Sequence, residues 1–257
     1  MTTLPVFVVE QLPGGPDAVL DGPEGRHAAI VRRLGPGEQL VLSDGRGGLA
    51  RCAVEATERD TVRLSVQRRW TEPEPRPRVI LAQALVKGDR GELAVEQATE
   101  AGIDQVVPWR ARRCVARWDD GERGAKARAR WSGAVLQAAK QSRRAWFPEV
   151  TEPVSTERLA ELAANATAAL VLHESADRGI AELALPTTGD VLIVVGPEGG
   201  IDDDELIMLG AAGATAVRLG PTVLRASTAA AVALGAIGAL TGRWRQPGDS
   251  AGRRGAG

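Results

Sequence analysis

The sequence predicts an α/β protein with a mostly parallel sheet, preceded by a smaller β-rich domain. In its C-terminal two thirds, short apolar runs alternate with helix-like segments, which is typical of a parallel sheet covered on both faces. The apolar run 191–195 shows this best, because the glycine turn 196–200 follows it directly. Asp202 and Glu205 then stand at capping-box spacing and predict the start of a helix.

The N-terminal part predicts a small β-rich RNA-binding module. Its strand-like runs are separated by Gly and Asp turns and cover residues 6–10, 39–43, 48–55 and 61–67. One short helix is predicted over residues 27–34, and it would bring Arg26, Arg32 and Arg33 near one another. Small barrels of this size are common RNA-binding modules.

A proline-rich linker at residues 70–77 separates the two parts. Three prolines in alternation exclude a helix there and favour an extended connection. We therefore predict an RNA-binding domain at 1–72 and a second domain at 73–245. The Gly- and Arg-rich tail at 246–257 is predicted to be disordered.

The second domain alternates strands and helices along its whole length. Its predicted strands cover residues 78–86, 106–107, 169–173, 191–195 and 216–219. Its predicted helices cover residues 89–101, 124–143, 156–164, 202–212 and 227–244.

Three loops at predicted strand ends, 173–175, 196–200 and 220–225, are expected to converge on one ligand. Ligands of open α/β sheets bind outside the carboxyl ends of the strands. The chain has no G-x-G-x-x-G motif and no Walker lysine, so a dinucleotide or triphosphate cradle is disfavoured. Glycine turns with apolar neighbours and little positive charge suit a purine ring better than they suit a triphosphate.

The net charge of −1 conceals a basic tract at residues 110–146, which holds 11 basic and 3 acidic side chains. Four tryptophans lie within it or beside it: Trp109, Trp118, Trp131 and Trp146. Arginines interleaved with flat rings suit RNA, which needs phosphate contacts and stacking surfaces. The alternative is a solvated helix face in an arginine-rich chain, with the tryptophans packed inside.

Other features of the composition exclude several classes of protein. Cys52 and Cys114 are isolated, which disfavours a zinc site and predicts two reduced cytosolic thiols. Only two histidines are present, so we expect no metal. No run approaches the ~20 apolar residues of a membrane span, and residues 1–7 lack the features of a signal peptide.

The order and spacing of several motifs resemble the RsmE-type family of 16S ribosomal RNA methyltransferases, of the knotted SPOUT class. The matching segments span about 220 residues: 27–34, 36–38, 44–45, 83–90, 98–103, 138–144, 172–173, 195–200 with Glu205, and 219–225 with 228–229. The chain departs from the family pattern at a few positions. The family often has Glu where this chain has Lys140, an acidic residue at Ser227, and Lys and Leu at Gln97 and Ala101.

The resemblance implies a PUA-like β-barrel joined to a trefoil-knotted α/β domain. It also implies a homodimer that uses S-adenosylmethionine (SAM), with the cofactor site near the subunit interface. The reaction would be methylation of uridine N3 in 16S rRNA, within a small ribosomal subunit or its precursor. Such an enzyme would be cytoplasmic, with no membrane and no metal.

The candidate site residues follow from the loops, the basic residues and the family motifs together. For the cofactor they are Leu172, His173, Gly196, Glu198, Gly199, Gly200, Leu219, Gly220, Pro221, Val223 and Leu224. For RNA they are Arg26, His27, Arg32, Arg33, Lys87, Arg90, Gln141, Arg143 and Arg144.

Arg225 is the first candidate for a catalytic residue, because developing charge on the uracil carbonyls needs a positive partner. Arg143 and Arg144 are alternative candidates for this catalytic role. A second interpretation of Arg225 stays equally open: it pairs with an RNA phosphate or with a carboxylate of the other subunit. Glu198 has three open roles: to orient the cofactor, to accept a proton, or to fasten its own turn. Two other functions also stay open, a non-catalytic ribosome-assembly factor and a tRNA ribose methyltransferase.

Overall fold

The computed structural model describes residues 4–244, which divide into two compact units. The first unit comprises residues 4–74 together with residues 136–147, and the second comprises 75–135 and 148–244. The segment 136–147, which sequence reasoning assigned to the second domain, thus groups with the N-terminal residues. The predicted tail at 246–257 lies outside the described residues.

The first unit is built on a five-stranded sheet with the order β1-β3-β4-β5-β2. Its strands are β1 (Val6–Val8), β2 (Asp17–Leu20), β3 (Gln39–Ser43), β4 (Gly48–Glu58) and β5 (Thr61–Thr71). Strands β1 and β3 are parallel, and the other pairs are antiparallel. Phe7, Leu40 and Leu64 form part of its buried core.

The helix predicted over residues 27–34 is only partly confirmed, because the helical segment begins and ends earlier. Helix α1 covers Gly22–Arg26, and a π-helical turn follows it at His27–Val31. Pro23 in the first turn suits an earlier start, because a proline at that point sacrifices no helical hydrogen bond. Arg33 has a positive φ of 53° beyond the turn, so Arg26, Arg32 and Arg33 do not share one helix.

The second unit contains a six-stranded sheet with the order β11-β9-β10-β6-β7-β8, and all its pairs are parallel. Its strands are β6 (Arg78–Ala84), β7 (Gln105–Trp109), β8 (Glu149–Val150), β9 (Ala168–Leu172), β10 (Asp190–Val195) and β11 (Thr215–Val217). The predicted parallel sheet is therefore confirmed.

Five α-helices accompany this sheet in the described residues, besides a 3-10 turn at Ile180–Glu182. They are α2 (Arg90–Glu100), α3 (Glu122–Gln141), α4 (Thr156–Asn165), α5 (Asp203–Ala211) and α6 (Ala226–Thr241). Helix α2 packs against α6, and α4 packs against α5. Within residues 4–244, no helix combines the length and apolar character that a membrane crossing demands.

Three of the four tryptophans of the basic tract are packed inside the protein rather than displayed for stacking. Trp109, Trp118 and Trp131 are at most 9% exposed, and the rings of Trp118 and Trp131 meet edge to face with centroids 4.8 Å apart. In the first unit, Trp146 Nε1 donates a hydrogen bond to the Glu72 carbonyl oxygen at 2.9 Å. Stacking on Trp109, Trp118 and Trp131 is therefore excluded, whereas Trp146 is half-buried.

Many of the basic side chains in the same tract are engaged with carboxylates of the second unit. These pairs are Arg110–Asp120, Arg112–Asp202, Arg112–Asp204, Arg113–Asp202, Lys126–Glu122, Arg128–Glu152 and Arg130–Glu92. The positive charge that the composition displays is locally offset over much of residues 110–130.

Candidate cofactor site

The three loops predicted to converge do so at one cavity of about 430 Å³ in the second unit. They follow β9, β10 and β11, whose carboxyl ends lie at the same edge of the parallel sheet. The lining residues from the three loops and their strands are Leu172, His173, Glu174, Val195, Gly196, Pro197, Glu198, Gly200, Ile201, Val223, Leu224 and Arg225. Val86 and Arg90, and residues of α6, complete the wall.

A smaller cavity of about 70 Å³ adjoins this one and shares Leu172, His173 and Leu224 with it. It adds Leu219 and Gly220 to the site. All the predicted cofactor residues except Gly199 and Pro221 therefore line one of the two cavities. That these residues contact the cofactor stays a prediction.

The turn after β10 needs glycine at two positions for different reasons. A Cβ on Gly196 would lie 2.6 Å from Ile201 Cγ1, so the backbone approaches that side chain too closely for any other residue. Gly200 has a φ of +76°, which L-residues with a side chain rarely adopt. Gly199 has neither constraint, because its Cβ would make only an ordinary contact with Arg113 at 3.5 Å.

Two arginines border the cavity and differ in what they contact. Arg90, predicted to bind RNA, forms an ion pair with Glu198, with Nη1 of Arg90 3.4 Å from Oε1 of Glu198. Both residues line the cavity. Arg225 is exposed and lies at the N-cap position of α6. Lys87 is exposed and lies outside the cavity lining.

A buried carboxylate supports the turn, and sequence reasoning recognised only part of its role. Glu205 is 3% exposed, and its Oε2 accepts from the Asp202 backbone N–H at 3.3 Å in the predicted capping box. Its Oε1 accepts from the Arg112 backbone N–H at 2.9 Å and from the Thr156 hydroxyl at 2.7 Å. Glu205 thereby joins α5, α4 and the segment after β7.

Replacement of Glu205 by alanine is expected to lower the free energy of unfolding by about 2–4 kcal/mol, because buried donors would lose their acceptor. Urea denaturation measures the change. Asp203→Ala is the matched control, since Asp203 lies exposed in the same first turn of α5. Equal losses in the two variants would contradict the structural role of Glu205.

Four of the predicted RNA-binding residues line a separate cavity in the first unit: His27, Arg32, Gln141 and Arg143. Arg26 and Arg33 are exposed and lie outside it. Arg144 is half-buried and does not line it either. Lys140 and Gln137 do line it, although neither was predicted to bind RNA.

Comparison with known proteins places the chain in a family. Residues 72–238 match the family model of an RNA methyltransferase domain, and residues 20–67 match an RNA methyltransferase PUA domain. A Mycobacterium bovis protein named ribosomal RNA small subunit methyltransferase E is 55% identical over 244 residues, which cover 93% of each chain. The chain belongs to the ribosomal RNA small subunit methyltransferase E family.

One further relative and two solved structures extend the similarity. The Bacillus subtilis protein of the same name is 30% identical, covering 89% of this chain and 92% of its own. The Neisseria gonorrhoeae member, solved bound to SAM, has a TM-score of 0.81 at 25% identity over 93% of this chain and 98% of its own. A Legionella pneumophila protein, also solved with bound SAM, has a TM-score of 0.82 at 28% identity and the same coverage.

These findings confirm the expected methyltransferase E family, its N-terminal PUA domain and its α/β fold. The predicted cofactor is the one bound in both solved relatives. The trefoil knot stays a prediction.

Proposed function

We propose that this protein transfers a methyl group from SAM to N3 of a specific uridine in 16S rRNA, within a small ribosomal subunit or its precursor. The convergence of three strand-end loops on one cavity supports this reaction most directly. Gly196 and Gly200 border this cavity and carry no side chain, so the turn after β10 leaves space for a ligand at both positions.

The cavity suits the cofactor in shape and in chemistry. Leu172, Val223 and Leu224 supply apolar walls for an adenine ring, and the turn at 196–200 brings the backbone of Gly196 and Gly200 to the cavity. When bound, SAM supplies a methyl group activated by its positively charged sulfur. Glu198 lines the same wall, where it pairs with Arg90, and we propose that it orients polar groups of the ligand.

Arg225 is proposed to stabilise the charge that develops on the substrate. Loss of the N3 proton leaves negative charge on the two carbonyl oxygens that flank N3. Arg225 lines the cavity, and a guanidinium offers several fixed donors, which suits a pair of oxygens. Arg143 and Arg144, the alternatives, belong to the first unit and do not line this cavity.

The two units are proposed to divide the work. The N-terminal domain, predicted over 1–72, would hold RNA together with the segment 136–147, whereas the remainder of 73–245 would hold the cofactor. We also propose that the protein acts in the cytoplasm as a homodimer. Val232 and Leu240 on α6 are 41% and 47% exposed, and apolar side chains of this kind suit a partner surface.

Methyl transfer to defined RNA substrates tests the proposal. Purified protein and isotopically labelled SAM are incubated with small subunits lacking the modification, with naked 16S rRNA, or with tRNA as a control. We expect 3-methyluridine in the digested 16S rRNA, identified by mass spectrometry, and no label in tRNA. Label on a ribose, label in tRNA, or no transfer to either rRNA substrate would overturn the proposed reaction.

A further inference from the structure

The first unit contains a cavity of about 330 Å³ whose lining residues are unlike those of the cofactor site. Its volume lies within the range of small-molecule sites, about 300–1,000 Å³. Three chain segments line it: residues 4–7 around β1, the turn that holds His27 and Arg32, and the end of α3. The residues from α3 and its end are Gln137, Lys140, Gln141 and Arg143.

A nearly buried ion pair holds these three segments together. Lys140 Nζ lies 2.6 Å from Glu24 Oε1, and the side chain of Lys140 is only 10% exposed. The other carboxylate oxygen of Glu24 accepts from the Val8 backbone N–H at 3.1 Å. Lys140 also lies over the Phe7 ring, 5.9 Å from its centroid. Glu24 neutralises Lys140, so this lysine fixes the shape of the cavity and leaves other groups to contact a ligand.

The cavity combines a flat ring with two side-chain amides. The exposed imidazole of His27 is held edge to face against the buried Phe7 ring, with centroids 5.9 Å apart. It belongs to the π-helical turn, a conformation frequent at functional sites. Gln137 and Gln141 lie one helical turn apart on α3, and each amide offers donors and an acceptor.

Two arginines add positive charge to the cavity, and the backbone of one is strained. Arg32 and Arg143 are both exposed at its edge. Arg143 follows the end of α3 with a φ of +57°, where a helix commonly has glycine. Strained backbone positions occur at functional sites, and Arg143 is the one of three arginines with a positive φ in residues 4–244 that lines this cavity.

We propose that this cavity binds a single unstacked nucleotide of the RNA substrate. The base stacks on His27 and presents its edge to Gln137 and Gln141, while Arg32 and Arg143 contact the phosphates. Proteins read single-stranded RNA by this combination of ring stacking, base-edge hydrogen bonds and phosphate contacts. The inference rests on the proposed rRNA substrate and adds to it a nucleotide-binding site in the N-terminal unit.

The variant Arg143→Gly separates binding from folding, because the two effects have opposite signs. Glycine relieves the positive φ, so the midpoint of thermal unfolding is expected to hold or rise. Binding of a short single-stranded oligouridine, measured by fluorescence anisotropy, is expected to weaken. The slope of log affinity against log salt is expected to fall by about 1, since one phosphate contact is lost.

Arg59→Gly is the matched control in the same unit. Arg59 is also an exposed arginine with a positive φ, 41°, but it lies in the turn between β4 and β5 and outside the cavity lining. This variant should gain stability in the same way and bind oligouridine with unchanged affinity and salt slope. Equal weakening by the two glycine variants, or no weakening by Arg143→Gly, would overturn the proposed phosphate contact.

A second variant, His27→Ala, tests the stacking platform. It is expected to weaken oligouridine binding about tenfold, in line with the loss of one stacked base, without changing the salt slope. Unchanged affinity of His27→Ala would contradict the stacking of a base on His27 in this cavity. If uridine monophosphate binds as tightly as the oligomer, the cavity serves a free nucleotide and the RNA assignment is wrong. These titrations involve no methyl transfer, so their failure is distinct from a failure of the proposed reaction.

Discussion

Replacement of Gly200 by valine is expected to abolish the binding of SAM while the protein remains folded. Gly200 lines the cofactor cavity and has a φ of +76°, so a β-branched side chain would both strain the turn and project from the cavity wall. No protein atom blocks the new side chain, because the nearest atom to a Cβ would be Arg113 Nη1 at 3.9 Å. Calorimetric titration with SAM measures the loss.

Gly213→Val is the matched control for this variant. Gly213 also has a positive φ, 92°, and open space around its Cβ position, but it lies in the turn between α5 and β11 and outside both cavities. The control should lose similar stability and keep its affinity for SAM. Gly199→Ala is likewise expected to bind SAM normally. A folded Gly200→Val protein with normal affinity would contradict the placement of the cofactor.

Replacement of Arg225 by alanine is expected to lower kcat for methyl transfer by about 10²–10³-fold, the usual effect of losing one group that stabilises a developing oxyanion. Affinity for SAM should stay unchanged, since the apolar walls at Leu172 and Leu224 and the turn at 196–200 are untouched. Arg225→Lys should recover part of the rate, because it keeps the charge but loses the fixed geometry of the guanidinium. Single-turnover assays on 16S rRNA measure each rate.

Arg178→Ala is a suitable control, because Arg178 is an exposed arginine of the same unit that lies outside the cavity lining. It should react at the normal rate. If Arg225 instead contacts a phosphate or an intersubunit carboxylate, Arg225→Ala gives a different result from the one expected for a catalytic residue. Loss of a phosphate contact would raise KM for RNA and leave kcat unchanged, whereas loss of an intersubunit carboxylate pair would change the dimer dissociation constant.

Elements whose residues carry their own local signal were predicted well. The strand at residues 39–43 and the capping box of Asp202 and Glu205 agree with the structure, because alternation and capping are properties of neighbouring residues. Strand β2 was missed, since Asp17–Leu20 buries only Leu20 fully and depends on pairing with β5. Strand β8 has only two residues and likewise depends on its neighbour, β7.

The candidate site shows the same division between local and distant causes. The turn at 196–200 was predictable because tight turns require glycine, and that requirement is visible in the sequence. The hydrogen bonds of Glu205 were not predictable, because Thr156 is 49 residues away and Arg112 is 93 residues away. The burial of Trp118 and Trp131 is also a tertiary property, so composition alone could not show that these rings pack inside the protein.

The central pair of the parallel sheet has a consequence for how the chain folds. Arg78 of β6 lies opposite Asp190 of β10, so the middle of the sheet joins residues 112 positions apart in the sequence. Closing so long a loop has a high entropic cost, and sheets rich in such distant pairs fold slowly. During synthesis, β6 and β7 emerge long before β10 is available, which leaves one edge of β6 unpaired. The loops that line the cofactor cavity are therefore among the last parts of the protein to fold. A chain whose synthesis has not passed β10 cannot form the cavity and cannot bind the cofactor there.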